Sequence, residues 1–249
     1  MSRRVLVTGA SRGIGRAIAV AFAERGERVA VHYGSDRGEG ETTLHALKGE
    51  GHVLVSGDLG DPAAAKAVVQ SAVEGLGGVD VLVNNAAIAP GDSNRHDIAS
   101  VDYEEWQRVW RSMVDVDLLG AANVTYCVAR HLIERRAGGS IVNVGSRGAY
   151  RGEPSFPAYG AAKAGLHAFG QSMAVALAPH GIAVASVAPG FIGTERQQAM
   201  LDDAVRGQSP FGRVGTPEEV AAAVVHLSSP EAVWSSGAVL DLNGASYLR

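Results

Sequence analysis

Short β-branched runs alternate with longer Ala-rich stretches along the whole chain. Val5–Thr8, Val29–Tyr33, Val53–Gly57, Val81–Asn84, Ser140–Val144, Ile182–Val187 and Val239–Leu242 read as strands. Most are near-continuous apolar runs, which suits a parallel sheet covered on both faces. Between them, Gly13–Arg25, Gly38–Gly49, Pro62–Leu76, Tyr103–Arg135 (with an interruption), Pro157–Ala178 and Pro217–Leu227 predict helices. This alternation predicts an α/β fold with a doubly wound parallel sheet of about seven strands and helices on both faces. No linker, repeat or biased tail divides residues 1–249, so a single domain is expected. The longest aperiodic stretches, Ala89–Asp102 and Phe191–Val214, follow strand ends, where such folds bind ligands. A substrate lid is expected within 191–214.

Composition narrows the classes. The chain is 46% hydrophobic and 19% charged, ordinary for a globular protein. Its 22 Lys+Arg and 26 Asp+Glu leave a net charge of −4, which argues against a strongly basic nucleic-acid binder. Cys127 is the single cysteine, so neither an internal disulfide nor a multi-cysteine zinc site can form, and no metal is expected. The apolar Val5–Val7 stops at Thr8-Gly9, unlike a signal peptide, and no apolar run reaches membrane-spanning length. A cytoplasmic protein is expected. Glycine is in excess, 32 residues, and gathers at strand ends, where backbone approaches a ligand.

The first strand runs into Thr8-Gly9-Ala10-Ser11-Arg12-Gly13-Ile14-Gly15 and then a helical stretch. Glycines there let the backbone turn tightly against a pyrophosphate, and the helix N-terminus points N–H groups at it. Such a turn also occurs in βα connections without a ligand, but its place right after an N-terminal strand favours nucleotide binding.

Tyr159 and Lys163 are four residues apart, on one face of the helix that starts at Pro157. A tyrosine hydroxyl holds its proton too tightly for exchange at neutral pH. An ammonium nearby favours the phenolate by a gross figure of up to about 4 kcal/mol. Lys163 is therefore expected to pull Tyr159 into range as a general acid/base. Ser146, after the fifth strand, can donate a hydrogen bond to a substrate carbonyl oxygen. A serine-hydrolase reading is poor, because Gly145-Ser146-Arg147-Gly148 lacks the spacing of a nucleophile elbow.

Five segments in order give a more specific likeness. Thr8–Gly15 resembles the cofactor loop of the short-chain dehydrogenase/reductase family. Asn84-Asn85-Ala86-Ala87 resembles its N-N-A-G segment, with Ala87 where glycine is usual. Ser146, Tyr159-Gly160-Ala161-Ala162-Lys163 and Pro189-Gly190-Phe191-Ile192-Gly193-Thr194 match the rest, and Gly212-Arg213 with Thr216–Glu219 extends the match. The nearest branch resembled is that of 3-oxoacyl-(acyl-carrier-protein) reductases. The resemblance implies a Rossmann-like fold and hydride transfer between a nicotinamide and a carbonyl or secondary alcohol, the work of a ketoreductase. Tyr159 would exchange the proton, Ser146 would hold the oxygen, and Lys163 would also bind the nicotinamide ribose. Asp117-Leu118-Leu119-Gly120 occupies the place of the family's N-L-x-G, so Asp117 stands where an asparagine supports a proton relay. Gly9, Ser11, Arg12, Gly13, Ile14, Gly15, Asn85, Ala86, Pro189, Gly190 and Ile192 would line the cofactor, Asp58 with Leu59 would meet the adenine, and Thr194 the carboxamide.

The second strand ends Val31-His32-Tyr33-Gly34-Ser35 without the acid that would favour NAD(H). Arg12 supplies a cation for a 2′-phosphate, with Ser35 and Arg37 beside it, so NADP(H) is expected over NAD(H). Candidate substrate walls are Ala89–Arg95, Arg147–Phe156 and Phe191–Met200, in which Arg147 and Arg151 could meet an anionic substrate. An acyl carrier protein is a conceivable partner but not the favoured one, because it needs a basic docking face and the chain is acidic overall. The resemblance implies a homotetramer or homodimer, with Ala245–Arg249 a candidate part of the interface. Competing readings are a nucleotide-binding regulatory protein that lost catalysis and a sugar-nucleotide epimerase, the latter disfavoured by the short stretch after Thr194.

Overall fold

The computed structural model describes residues 2–195 and 202–248. The elements run β1 (Arg4–Val7), α1 (Gly13–Ala23), β2 (Arg28–Tyr33), α2 (Arg37–Ala46), β3 (Val53–Ser56), α3 (Pro62–Leu76) and β4 (Val81–Asn84). Then come α4 (Tyr103–Val114), a π-helical segment (Asp115–Gly120), α5 (Ala121–Glu134), β5 (Gly139–Val144), α6 (Gly148–Arg151) and α7 (Pro157–Leu177). The chain closes with β6 (Ile182–Pro189), α8 (Asp203–Arg206), α9 (Pro217–Leu227) and β7 (Val239–Leu242).

The strands form one parallel sheet in the order β3-β2-β1-β4-β5-β6-β7. Along β1 successive side chains face opposite ways, as a strand requires. Val5 and Val7 pack with α1 and α9, while Leu6 packs with α3 and α5. Both faces are therefore dry, which is why the strands read as continuous apolar runs. The chain turns outward in both directions from β1 and β4, so their C-terminal ends open a crevice.

Local chemistry explains the helix ends. Asp61 caps α3, with Pro62 at its first position and Gly77 in the left-handed conformation at its end. Thr216 and Glu219 form a reciprocal capping box at α9. The stretch predicted as one interrupted helix over 103–135 is α4, the π segment and α5. The short helices α6 and α8 have too few residues to leave a periodic signal and were not predicted. Among the described residues no helix is long and apolar enough to cross a membrane. The expected lid falls partly outside the described residues, at 196–201; its described part includes α8.

Candidate active site

The crevice is a cavity of about 750 Å³ running from the end of β2 to Tyr159. Its floor at one end is the β1–α1 loop. Gly9 and Gly13 have positive φ (62° and 52°), which favours glycine. A Cβ on Gly15 would lie 2.2 Å from the Gly9 carbonyl oxygen, so only glycine lets the first turn of α1 sit against the loop. Two neighbours hold this loop. The Asn85 side-chain amide donates to the Thr8 and Gly9 carbonyls at 2.9 and 3.0 Å. The Thr8 hydroxyl accepts from the Asn85 and Ala86 backbone N–H groups.

His32 is the third support. Its Nδ1 accepts from Gly9 N–H at 3.0 Å, which leaves Nε2–H to donate to the Gly57 carbonyl at 3.0 Å. The ring is buried and neutral in this arrangement, and burial pushes its pKa down. Sequence reading missed it as a site residue. A polar residue closing the apolar run Val29-Ala30-Val31 was the available signal.

Nearly every residue expected to meet a cofactor lines this one cavity. Gly9, Ser11, Arg12, Gly13, Ile14 and Gly15 form one end, and Ser35, Asp58, Leu59, Asn85 and Ala86 the side. Pro189, Gly190, Ile192 and Thr194 line it as well, with Thr194 beside Gly13, and so do Ser146, Tyr159 and Lys163. Arg37 is the exception. It opens α2 and its guanidinium pairs with Glu41 one turn on, away from the cavity. Asp36 lines the cavity in its place and caps α2 by accepting from Glu39 N–H. Among the described residues the Arg12 guanidinium has no partner. The glycine cradle, the α1 N-terminus above it and this unpaired cation fit a dinucleotide phosphate group.

At the other end, β5 delivers Ser146 and α7 delivers Tyr159 and Lys163. The Ser146 hydroxyl accepts from Gly148 N–H at 3.0 Å and also hydrogen-bonds Tyr159. The Lys163 ammonium, 2% exposed, donates to the Val144 carbonyl and sits 5.7 Å from the Tyr159 ring centroid. Tyr159 is half-buried as a residue, but its hydroxyl end is enclosed. Ile88, Val109, Met113 and Ala158 form the apolar cluster packed about it.

The electrostatics differ from the expectation drawn from spacing. Burial, then the Asp117 carboxylate, push the Tyr159 hydroxyl well above the usual tyrosine range, against a downward pull from Ser146. The predicted lowering by Lys163 does not win, because desolvating a phenolate is costlier than a spacing argument allows. Lys163 itself is pushed down by burial and back up by Asp117.

Asp117 lies in the π segment and does not line the cavity; it is buried beside it, 1% exposed. One carboxylate oxygen accepts from Ile88 N–H at 2.7 Å, and the other has no hydrogen-bond partner among the described residues. Burial raises its pKa to about 6, against the pull of Lys163 and the Ile88 N–H.

A second support was missed as well. Pro157 starts α7 without a side-chain cap at Phe156, yet the Ala158 N–H is satisfied by His96 Nε2 at 3.0 Å. His96 is wholly buried, its Nδ1–H directed at the Asn94 carbonyl, and stacks edge-on with Trp106 and Phe156. It ties the loop after β4 to the residue before Tyr159. A lone histidine in an aperiodic stretch carries no sequence signal for this.

The expected substrate walls are only partly realised. Ala89 and Pro90 line the cavity, but no residue of 147–156 does. The Arg147 guanidinium turns away to Gln208 and Ser246, and Arg151 lies on the same side near Gln208. Arg95 is held by Ser155 and Asp97. The two arginines expected beside an anionic substrate therefore do not face it. Part of the third wall, 196–200, lies outside the described residues. Among the described residues no cluster of three or more His, Cys, Asp or Glu could hold a metal ion.

A family model described as enoyl-(acyl carrier protein) reductase matches residues 9–244. L-rhamnose 1-dehydrogenase (NAD(P)(+)) of a Sphingomonas species is 37% identical over 99% of this chain and 97% of its own. 3-Oxoacyl-[acyl-carrier-protein] reductase of Vibrio cholerae is 38% identical over 98% of this chain and 96% of its own. Among solved structures, acetoin dehydrogenase of Salmonella typhimurium superposes with a TM-score of 0.85 at 30% identity, covering 98% of this chain and 96% of that one.

Proposed function

The chain belongs to the short-chain dehydrogenase/reductase family, in a branch similar to 3-oxoacyl-[acyl-carrier-protein] reductases, and from that premise we propose that it is an NADP(H)-dependent ketoreductase. As a member it is an oxidoreductase that moves hydride between a nicotinamide and a carbonyl or secondary alcohol. The observation that carries the finer reading is a single cavity with the glycine cradle at one end and Ser146, Tyr159 and Lys163 at the other. The bound nicotinamide supplies the hydride and is oxidised.

The chain's own residues do the rest. Ser146 holds the substrate oxygen by a hydrogen bond as negative charge grows on it. Tyr159 gives that oxygen its proton and is left as phenolate. Lys163, 5.7 Å from the Tyr159 ring centroid, offsets part of the phenolate charge and would bind the nicotinamide ribose. Asp117 acts behind Lys163. The apolar cluster around Tyr159 limits water at the reacting oxygen.

NADP(H) is favoured because Arg12 lines the cavity with its cation uncommitted, although Asp36 lies close by and opposes a 2′-phosphate. The names of the relatives span a sugar, a carrier-bound 3-oxoacyl group and acetoin. For this chain a small uncharged carbonyl is favoured, because Arg147 and Arg151 do not face the cavity. A carrier-protein substrate stays the less favoured choice on the net charge of −4. A homotetramer is favoured over a homodimer. Tyr103 on α4, Tyr126 on α5, and Trp234 and Leu248 in the segments flanking β7 are large apolar side chains left exposed, which suits burial between subunits. Sedimentation of the purified protein reads this directly.

The test is a fluorescence titration with NADPH and NADH, followed by turnover of a 3-oxoacyl thioester, an aldose and an α-hydroxyketone with its diketone. Tighter NADPH binding and oxidation of NADPH by one carbonyl class are expected. Tighter NADH binding overturns the cofactor choice, and turnover of the thioester alone overturns the substrate choice.

A further inference from the structure

We propose that Asp117 is an ionisable positioning group of this site, whose negative charge when ionised keeps the Tyr159 hydroxyl in its protonated, donating form. The proposal rests on the reading of Tyr159 as the proton-exchanging group.

The geometry comes first. The π segment carries Asp117 inward between the loop after β4 and α7, where it is 1% exposed. A π turn inside a helix is a local irregularity that often marks a functional position. One oxygen is held by the Ile88 N–H, so the carboxyl group cannot swing out to solvent. The other oxygen is buried without a hydrogen bond among the described residues. A buried, half-satisfied carboxylate is costly, and its cost is relieved in two ways: by taking a proton or by a neighbouring cation. That cation is Lys163, itself buried with one hydrogen bond to the Val144 carbonyl.

The charged and titratable surroundings are few. From α7 they are Lys163 and Tyr159, with His167 a turn further on against the Ser146 carbonyl. The loop after β4 contributes an uncharged N–H, that of Ile88. The π segment itself contributes Asp115 on the cavity side, and the loop after β3 contributes Asp58. Glu153 also pushes Tyr159 up, behind Asp117 in its effect, and Ser146 pulls it down. Asp117 is thus the foremost charge acting against the Tyr159 phenolate, and burial places its own titration at about 6.

The consequence concerns both directions of the reaction. In reduction the Tyr159 O–H bond breaks as the substrate oxygen takes its proton, and a phenolate remains. In oxidation that phenolate must exist first, to take the proton of the alcohol. A carboxylate at Asp117 disfavours the phenolate, so it shifts alcohol oxidation to higher pH and lets reduction persist further into the alkaline range. It also favours the charged form of Lys163. Once Asp117 is protonated, this bias is gone. A neutral amide at the same position could not switch in this way.

The experiment compares the full chain with Asp117→Asn, an isosteric change that keeps the acceptor for the Ile88 N–H. The pH profile of alcohol oxidation is recorded for both, with Tyr159→Phe as control. The rising limb, set by loss of the Tyr159 proton, is expected to move down by about 1 pH unit in Asp117→Asn, the scale of removing one close like charge. Oxidation at a fixed pH on that limb then rises about tenfold. A second readout needs no turnover: the infrared band of a protonated buried carboxyl should grow as pH falls through about 6 and be missing from Asp117→Asn. An unmoved limb, with Tyr159→Phe inactive, overturns the proposal and leaves the reading of Tyr159 standing. An active Tyr159→Phe overturns that reading, and this proposal with it. Absence of the band from the parent chain also overturns the proposal.

Discussion

At the glycine end of the cleft the work is done by backbone. Gly9, Gly13 and Gly15 leave room, and Thr8, Asn85 and His32 hold the loop through its N–H and C=O groups. At the Tyr159 end it is done by titratable side chains. Tyr159, Lys163 and Asp117 lie within reach of one another's charge, two of them almost wholly buried. The first end depends on shape and changes little with pH. The second depends on which protons are present, and burial sets that. One fold therefore separates holding a ligand from moving a proton, and each can be broken without the other.

The largest effect expected is from Tyr159→Phe. It removes the proton donor while leaving the ring packed, so kcat should fall by about 10²–10⁴. The NADPH dissociation constant should change little, which fluorescence titration checks. Equal losses of binding and turnover would break the division between the two ends.

Gly15→Ala probes the opposite end. Its Cβ would lie 2.2 Å from the Gly9 carbonyl oxygen and 2.5 Å from the Asn85 amide nitrogen, and the carbonyl is backbone that cannot step aside cheaply. Overpacking of this kind costs about 1–3 kcal/mol. Thermal melting should show that loss, and NADPH binding should weaken with it, with the pH dependence of residual turnover unchanged.

The smallest effect is on stability. Asp117 has a folded-state pKa of about 6, above the 3.8 usual for an aspartate. A carboxyl raised in this way is penalised once it is ionised. Relative to Asp117→Asn, the parent chain is at its best below the unfolded value and loses stability as pH rises through about 6. The difference has an upper figure of about 3 kcal/mol. The cost of the unpartnered amide N–H₂ is the same at both pH values and cancels, so Asp117→Asn should gain about 2 kcal/mol at pH 7 relative to its standing at pH 4. A flat difference between the two melting curves across that range would mean that folding leaves the Asp117 pKa unshifted.

The parts of this site differ in how legible they were. The cradle was readable because glycine spacing after a strand is a local requirement, settled within eight residues. Ser146, Tyr159 and Lys163 were readable because spacing on one helix and position at a strand end bring them to the same crevice. Arg37 misled because a carboxylate one turn away on its own helix, Glu41, competes for it. Arg147 misled because nearness to Ser146 in sequence does not say which way a side chain turns. His96 was silent because the group it satisfies lies 62 residues away, and His32 left only the signal of a polar residue closing an apolar run, because its partner lies 23 residues away.

By itself the sequence determined the order of elements, the parallel sheet, the glycine cradle and the presence of a Tyr–Lys pair. All of these follow from short-range pattern: apolar runs, helical spacing, and residues that only certain turns accept. Only the tertiary structure decided the charge states at the reacting end. Desolvation depends on every atom packed around a group, and Asp117, Tyr159 and Lys163 come from segments that meet only when the sheet and its helices close. That is why spacing predicted a lowered Tyr159 and the folded chain holds it high.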